Sequence, residues 1–161
     1  MTPRVQQLID TLHLQPHPEG GFYRETFHSP IHVQSPVVNA PRAAMTDIYF
    51  LLSRGQVSRF HRVAHDELWN FYDGEPLKLW HYDAETQQIS SFLLGPPEQV
   101  EGFKYVIPAG DWQAAEPVGE YTLVGCTVAP GFDFHDFRFI PADSDIGPSL
   151  LAQDSTLQRL L

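Results

Sequence analysis

At 161 residues, 42% of them hydrophobic and 12% aromatic, the chain has the size of one domain with a substantial core, read here as spanning 1–161. Twenty acidic against 10 basic residues give a formal charge of −10, which repels phosphate backbones and argues against a nucleic-acid partner. The single cysteine, Cys126, excludes an intramolecular disulfide and a cysteine zinc cluster.

Thr2-Pro3 reads as an N-cap followed by proline in the first helical turn. Val5, Leu8, Ile9 and Leu12 then recur at helical spacing, which predicts one short amphipathic helix. The same residues lack the unbroken apolar core of a signal peptide. No stretch approaches the ~18 apolar residues of a membrane span, so a cytoplasmic location without membrane contact is expected. Glu19-Gly20-Gly21 predicts a turn with positive φ before a strand at 22–27. Residues 28–45 carry three prolines and little pattern, and read as a long loop.

From Thr46 the chain reads strand after strand, at about 46–53, 57–63, 67–73, 76–82, 88–94, 103–107, 111–116, 121–129 and 132–139. Glycine, proline or aspartate separates nearly all of them, and no helical crossover intervenes, so antiparallel pairing is expected. Many short antiparallel strands predict an all-β jelly roll. Leu150-Leu151 and Leu157, Leu160 and Leu161 predict short helical turns that cover an end of it or a partner subunit.

Two segments carry the chemistry. The first is Gly55-x5-His61-x-Val63-x3-Glu67-x6-Gly74, and the second is Gly102-x5-Pro108-x-Gly110-x2-Gln113. This pair resembles the two-part motif of the cupin superfamily, with Val63 and Gln113 where that motif has histidines. A finer resemblance covers nearly the whole chain, through HPEGGFYRE at 17–25, TDIYFLL at 46–52, FHRVAHDELWNFYDG at 60–74, IPAGDWQAAEP at 107–117 and LVGCTVAPGFDFHDF at 123–137. These segments are similar to the DUF985 or cupin-5 family, whose agreed substrate the resemblance does not supply. What it implies is a double-stranded β-helix, the cupin jelly-roll barrel with a short N-terminal helix, and a homodimer.

Strand alternation puts His61 and position 63 on one face, and Glu67, Trp69, Phe71 and Asp73 on another. If both faces enter the barrel, the pocket holds an imidazole, a carboxylate, the Gln113 carboxamide and several rings. A tight transition-metal site wants three or four good donors, and His61 with Glu67 supplies two, so no resident metal is expected. A weak divalent ion at His61, Glu67 and Gln113 is the alternative. His65 would lie roughly 13 Å from His61 in extended chain, too far to complete the set.

The leading expectation is therefore a small-molecule pocket. It serves either ligand binding or metal-independent acid–base chemistry, such as isomerisation or epimerisation of a sugar-like or other polar metabolite. His61 and Glu67 would be the acid–base pair, Gln113 an orienting hydrogen-bonder, and Trp69 and Phe71 the walls. Arg59, on the His61 face by simple alternation, and Glu19 and Arg24, near the barrel mouth, complete the candidate ligand contacts. A metal-dependent oxygenase and a non-catalytic sensor with a filled barrel are the competing readings. His17 shows no ligand spacing and reads as a loop residue, and Ala129–Phe134 as a structural bend.

Overall fold

The computed structural model describes residues 1–18 and 20–161. Helix α1 (Pro3–Leu12) starts as the sequence predicts: Thr2 Oγ1 accepts the Val5 N–H at 3.3 Å, and Pro3 fills the first turn, where no N–H is needed. Thirteen strands follow among the described residues. They are β1 (Gln15–Pro16), β2 (Phe22–His28), β3 (His32–Ser35), β4 (Ala40–Ala43), β5 (Thr46–Ser53), β6 (Ser58–Arg62), β7 (Asp66–Gly74), β8 (Leu77–Tyr82), β9 (Ile89–Leu94), β10 (Lys104–Ile107), β11 (Trp112–Pro117), β12 (Tyr121–Ala129) and β13 (Arg138–Phe139). A second helix, α2 (Ile146–Gln153), and a 3₁₀ turn at Ser155–Leu160 close the described chain.

A six-stranded sheet, ordered β1-β2-β5-β12-β7-β10, faces a five-stranded sheet, ordered β13-β6-β11-β8-β9. Every pairing between these strands is antiparallel. The architecture is mostly β, a jelly roll of two facing sheets. Between them lies an inner core of Phe50, Leu52, Trp69, Leu79, Ile107 and Val124. The outer faces are covered separately. Helix α1 lays Val5 and Leu8 on Leu51 and Leu123 of the larger sheet. The C-terminal turns lay Leu150, Leu157 and Leu160 on Phe60, Trp80, Tyr82 and Trp112 of the smaller one. The terminal leucines thus close a sheet face of their own subunit, and Trp112 points away from the interior as its neighbour Gln113 points in.

Two expectations are corrected. The segment read as a long loop contains the β3–β4 hairpin, turned through Asn39, whose φ of 49° suits an asparagine. The strand read over 132–139 is instead a 3₁₀ turn at Phe134–Asp136 followed by the two-residue β13. Asp133 is the cause: its carboxylate caps the turn by accepting the His135 N–H at 2.8 Å, which competes with a sheet ladder.

The predicted positive-φ turn is present at Gly20 and Gly21, at 104° and 76°. A Cβ on Gly21 would sit 2.5 Å from the Leu51 carbonyl oxygen. Gly21→Ala combines left-handed backbone with a backbone clash and should cost about 3 kcal/mol. Denaturant unfolding checks this, and a loss below about 1 kcal/mol would contradict the close approach.

Candidate functional site

A cavity of about 230 Å³ opens between the two sheets. His61 on β6, Glu67 and Trp69 on β7, Cys126 and Val128 on β12, and Tyr23 on β2 line it, with Val63 just beyond β6. Alternation explains the β7 contribution, since Glu67 and Trp69 both face inward. β6 departs from alternation. Gln113 of β11 pairs with His61 and Ala115 with Ser58, so two residues of β11 span three of β6. This bulge turns both Ser58 and His61 to the cavity and sends Arg59 out. Arg59 donates from Nε to the Leu161 carbonyl at 2.9 Å and lies over the Phe139 ring. The face shared by Arg59 and His61 in a regular strand therefore does not exist.

The other candidates divide in the same way. Arg24, between the inward Tyr23 and Glu25, turns outward and donates to the Leu12 carbonyl at 3.1 Å. Phe71 joins the inner core and stacks on Phe103 with ring centroids 6.5 Å apart, rather than lining the cavity. Asp73 leaves the Glu67 face, because a register shift between Leu123 and Val124 adds a residue to β7. It binds Arg4 of α1 at 2.8 Å. Glu19 lies outside the described residues. His65 is buried away from the cavity lining, with its Nε2 2.6 Å from Ser35 Oγ.

Gln113 is fully buried and bridges two cavity residues. The indole Nε1–H of Trp69, which can only donate, meets Gln113 Oε1 at 2.7 Å. That bond fixes the amide orientation, so Gln113 must present its NH₂ group to Glu67, and it does, to Oε2. Oε2 is thereby an acceptor, and a proton on this carboxyl belongs on Oε1. Burial pushes Glu67 up to about 7, against hydrogen bonds from Gln113 and Cys126 that pull it down. Cys126 thus touches the central carboxyl.

His61 is in the opposite condition. Its Nδ1 lies 2.7 Å from the Arg59 carbonyl oxygen, which can only accept, so Nδ1 carries the ring proton and Nε2 the lone pair. Burial lowers its pKa to about 4, outweighing that backbone bond, and His17 adds to the lowering. The ring stacks on Phe137 at 5.1 Å. His17 itself lines the cavity, edge-on to Tyr23 at 4.7 Å, and burial takes it to about 4 as well. Sequence spacing missed His17, since its placement depends on the Gly20-Gly21 turn. It also missed Phe132 and Phe134, from the segment read as a bend, and Phe137, from the strand read over 132–139, all of which line the cavity.

Gln113 has its carbonyl oxygen held by Trp69, and among the described residues no three His, Cys, Asp or Glu side chains are grouped to hold an ion. His61 and Glu67 alone fall short of the three or four donors of a tight site.

No helix among the described residues is long and apolar enough to cross a membrane. The family model described as Cupin superfamily (DUF985) matches residues 6–140. Protein YML079W of Saccharomyces cerevisiae is 28% identical over 169 residues, covering 92% of this chain and 83% of its own. Protein SO0799 from Shewanella oneidensis superposes with a TM-score of 0.80 at 32% identity, covering 96% of this chain and 95% of that one. A hypothetical protein from Leishmania major does so with a TM-score of 0.80 at 29% identity, over 96% and 95% of the two chains. Motif, fold and relatives agree: the chain belongs to the DUF985 family of the cupin superfamily.

Proposed function

We propose that the barrel cavity binds a small polar metabolite and that His61 and Glu67 perform metal-independent acid–base chemistry on it, of the isomerase or epimerase type. One observation carries the reading. Two titratable groups in one cavity are driven to complementary states, a neutral imidazole with a lone pair on Nε2 and a carboxyl that still holds much of its proton at neutral pH. Pairs whose environments push their pKa values in functional directions mark acid and base roles.

Such a pair serves a hydroxy-carbonyl compound. His61 Nε2 takes the proton from the carbon next to the carbonyl. The freed electron pair forms a carbon–carbon double bond, and the carbonyl oxygen takes the proton from Glu67. Return of the proton to the neighbouring carbon, as the other enediol hydroxyl gives its proton to Glu67 and becomes the new carbonyl, gives an isomer; its return to the opposite face of the same carbon, as the first hydroxyl gives its proton back to Glu67, gives an epimer. Gln113 holds Oε2 of Glu67 in place, and Trp69 both walls the cavity and holds Gln113. The open cavity also departs from a barrel filled by its own side chains, the arrangement expected of a non-catalytic sensor.

Deuterium uptake from D₂O next to the carbonyl, followed by proton NMR across a panel of aldoses and ketoses in the presence of EDTA, tests the reading. Exchange should occur and should fall by about 10²-fold or more in His61→Ala, a typical general-base contribution, with the fold retained. Exchange that needs added metal, or that is unchanged in His61→Ala, would sink the proposal.

A further inference from the structure

No lysine or arginine lines the cavity among the described residues, and burial holds its two histidines, His17 and His61, neutral, while two carboxyls, Glu25 and Glu67, also line it. The two arginines that the sequence places nearby are both committed elsewhere. Arg24 is bonded to the Leu12 carbonyl, and Arg59 to the Leu161 carbonyl and the Phe139 ring. Neither α-helix begins at the cavity to supply a cluster of N–H groups, since α1 and α2 pack on the outer faces of the sheets. The molecule as a whole carries −10, so its long-range field also disfavours an approaching anion.

A phosphate or carboxylate drawn into this space would lose its hydration and gain no countercharge. What the walls offer instead are neutral hydrogen-bonding groups and rings. The hydroxyls of Tyr23, Thr46 and Ser58 and the imidazole of His61 can each exchange hydrogen bonds with ligand hydroxyls, while Phe50 and Trp69 provide apolar surface. The volume of about 230 Å³ lies at or below the lower end of ordinary small-molecule pockets, near 300 Å³. It suits a molecule of monosaccharide size or less.

From this we infer that the site takes an uncharged polyhydroxy carbonyl compound, such as a free sugar, and rejects the phosphorylated and carboxylated forms of the same skeleton. The inference rests on the cavity reading given above and narrows its ligand class. The direction of His61, Glu67 and His17 supports it, because burial drives all three toward their neutral forms, as a site for uncharged ligands would.

The indole N–H of Trp69 reports from the cavity wall, so its cross-peak in nitrogen-15 NMR serves as the readout, identified by its loss in Trp69→Phe. Titration of the wild-type chain with dihydroxyacetone and fructose, then with fructose 6-phosphate and gluconate, should separate the two classes. The uncharged probes should shift the peak saturably, with an apparent Kd at least tenfold below that of either anion. Equal or tighter response to the anions would overturn the charge inference and leave the pocket reading in place. No response to any probe would remove both.

Discussion

Glu67→Gln should abolish proton exchange while making the protein more stable above neutral pH. The first effect follows because a carboxamide cannot give or take the proton that the proposed chemistry moves, and loss of such a group typically costs about 10²–10⁴-fold in rate. The second follows from where the wild-type proton sits. The Glu67 carboxyl titrates at about 7 in the folded chain, against an ordinary value of 4.5. Between these values the folded state binds more protons than the unfolded one, so stability is fully present below about 4.5 and is lost as pH rises through about 7. The full loss is on the order of 3 kcal/mol. His17 and His61 act oppositely, since both are held neutral in the fold down to about 4, so they lose stability as pH falls below the ordinary 6.5. They are present in both proteins and cancel in the difference. Glutamine at 67 still accepts the Gln113 NH₂ through its carbonyl oxygen, so packing is retained. The variant's Tm advantage over wild type should therefore grow between about pH 4.5 and 7, level off above, and reach about 10 °C. A difference that is flat with pH would contradict a buried, protonated carboxyl.

Trp69→Ala should be the most damaging single change near the site. The residue is 1% exposed, and truncation of a buried aromatic of this size costs about 3–5 kcal/mol. It also leaves Gln113 Oε1 without its donor, a further cost of about 1–3 kcal/mol. Trp69→Phe separates the two contributions, since it keeps most of the ring volume and removes only the N–H. In that variant nothing fixes the Gln113 amide, which is free to turn its carbonyl oxygen toward Glu67. A carboxylate facing that oxygen is further disfavoured, so the Glu67 pKa should move still higher. Urea unfolding and the pH profile of exchange together check this. A Phe variant with wild-type stability and an unchanged profile would show that Trp69 acts as a wall alone.

Much of the frame was legible because local chemistry and tertiary structure agree. Runs such as Thr46–Ser53 and Tyr121–Ala129 are rich in β-branched and aromatic residues and bounded by turn formers, and both form strands at the predicted limits. Thr2-Pro3 capped the helix as it reads. Strict alternation failed wherever a bulge entered. The extra residue in β6 sent Arg59 outward, and the one in β7 sent Asp73 to α1. Neither bulge carries a glycine at the displaced position, so no local signal marks it. The β3–β4 hairpin was hidden because β3 is mainly exposed and β4 contains Pro41, leaving no periodic pattern to read. Within the site, the motif identified His61, Glu67 and Gln113 by residue type. It did not reveal that Gln113 spends both ends of its amide on Trp69 and Glu67, because that depends on distances across facing sheets.

The protonation of Glu67 is the hinge of this account, and carbon-13 NMR of the glutamate carboxyls reads it directly. In the wild-type chain one carboxyl resonance, absent from Glu67→Gln, should titrate with a midpoint near 7 while the exposed glutamates titrate near their ordinary values. A Glu67 resonance with its midpoint near 4.5 would mean a carboxylate at neutral pH, with no proton to give, and the acid–base assignment would fall.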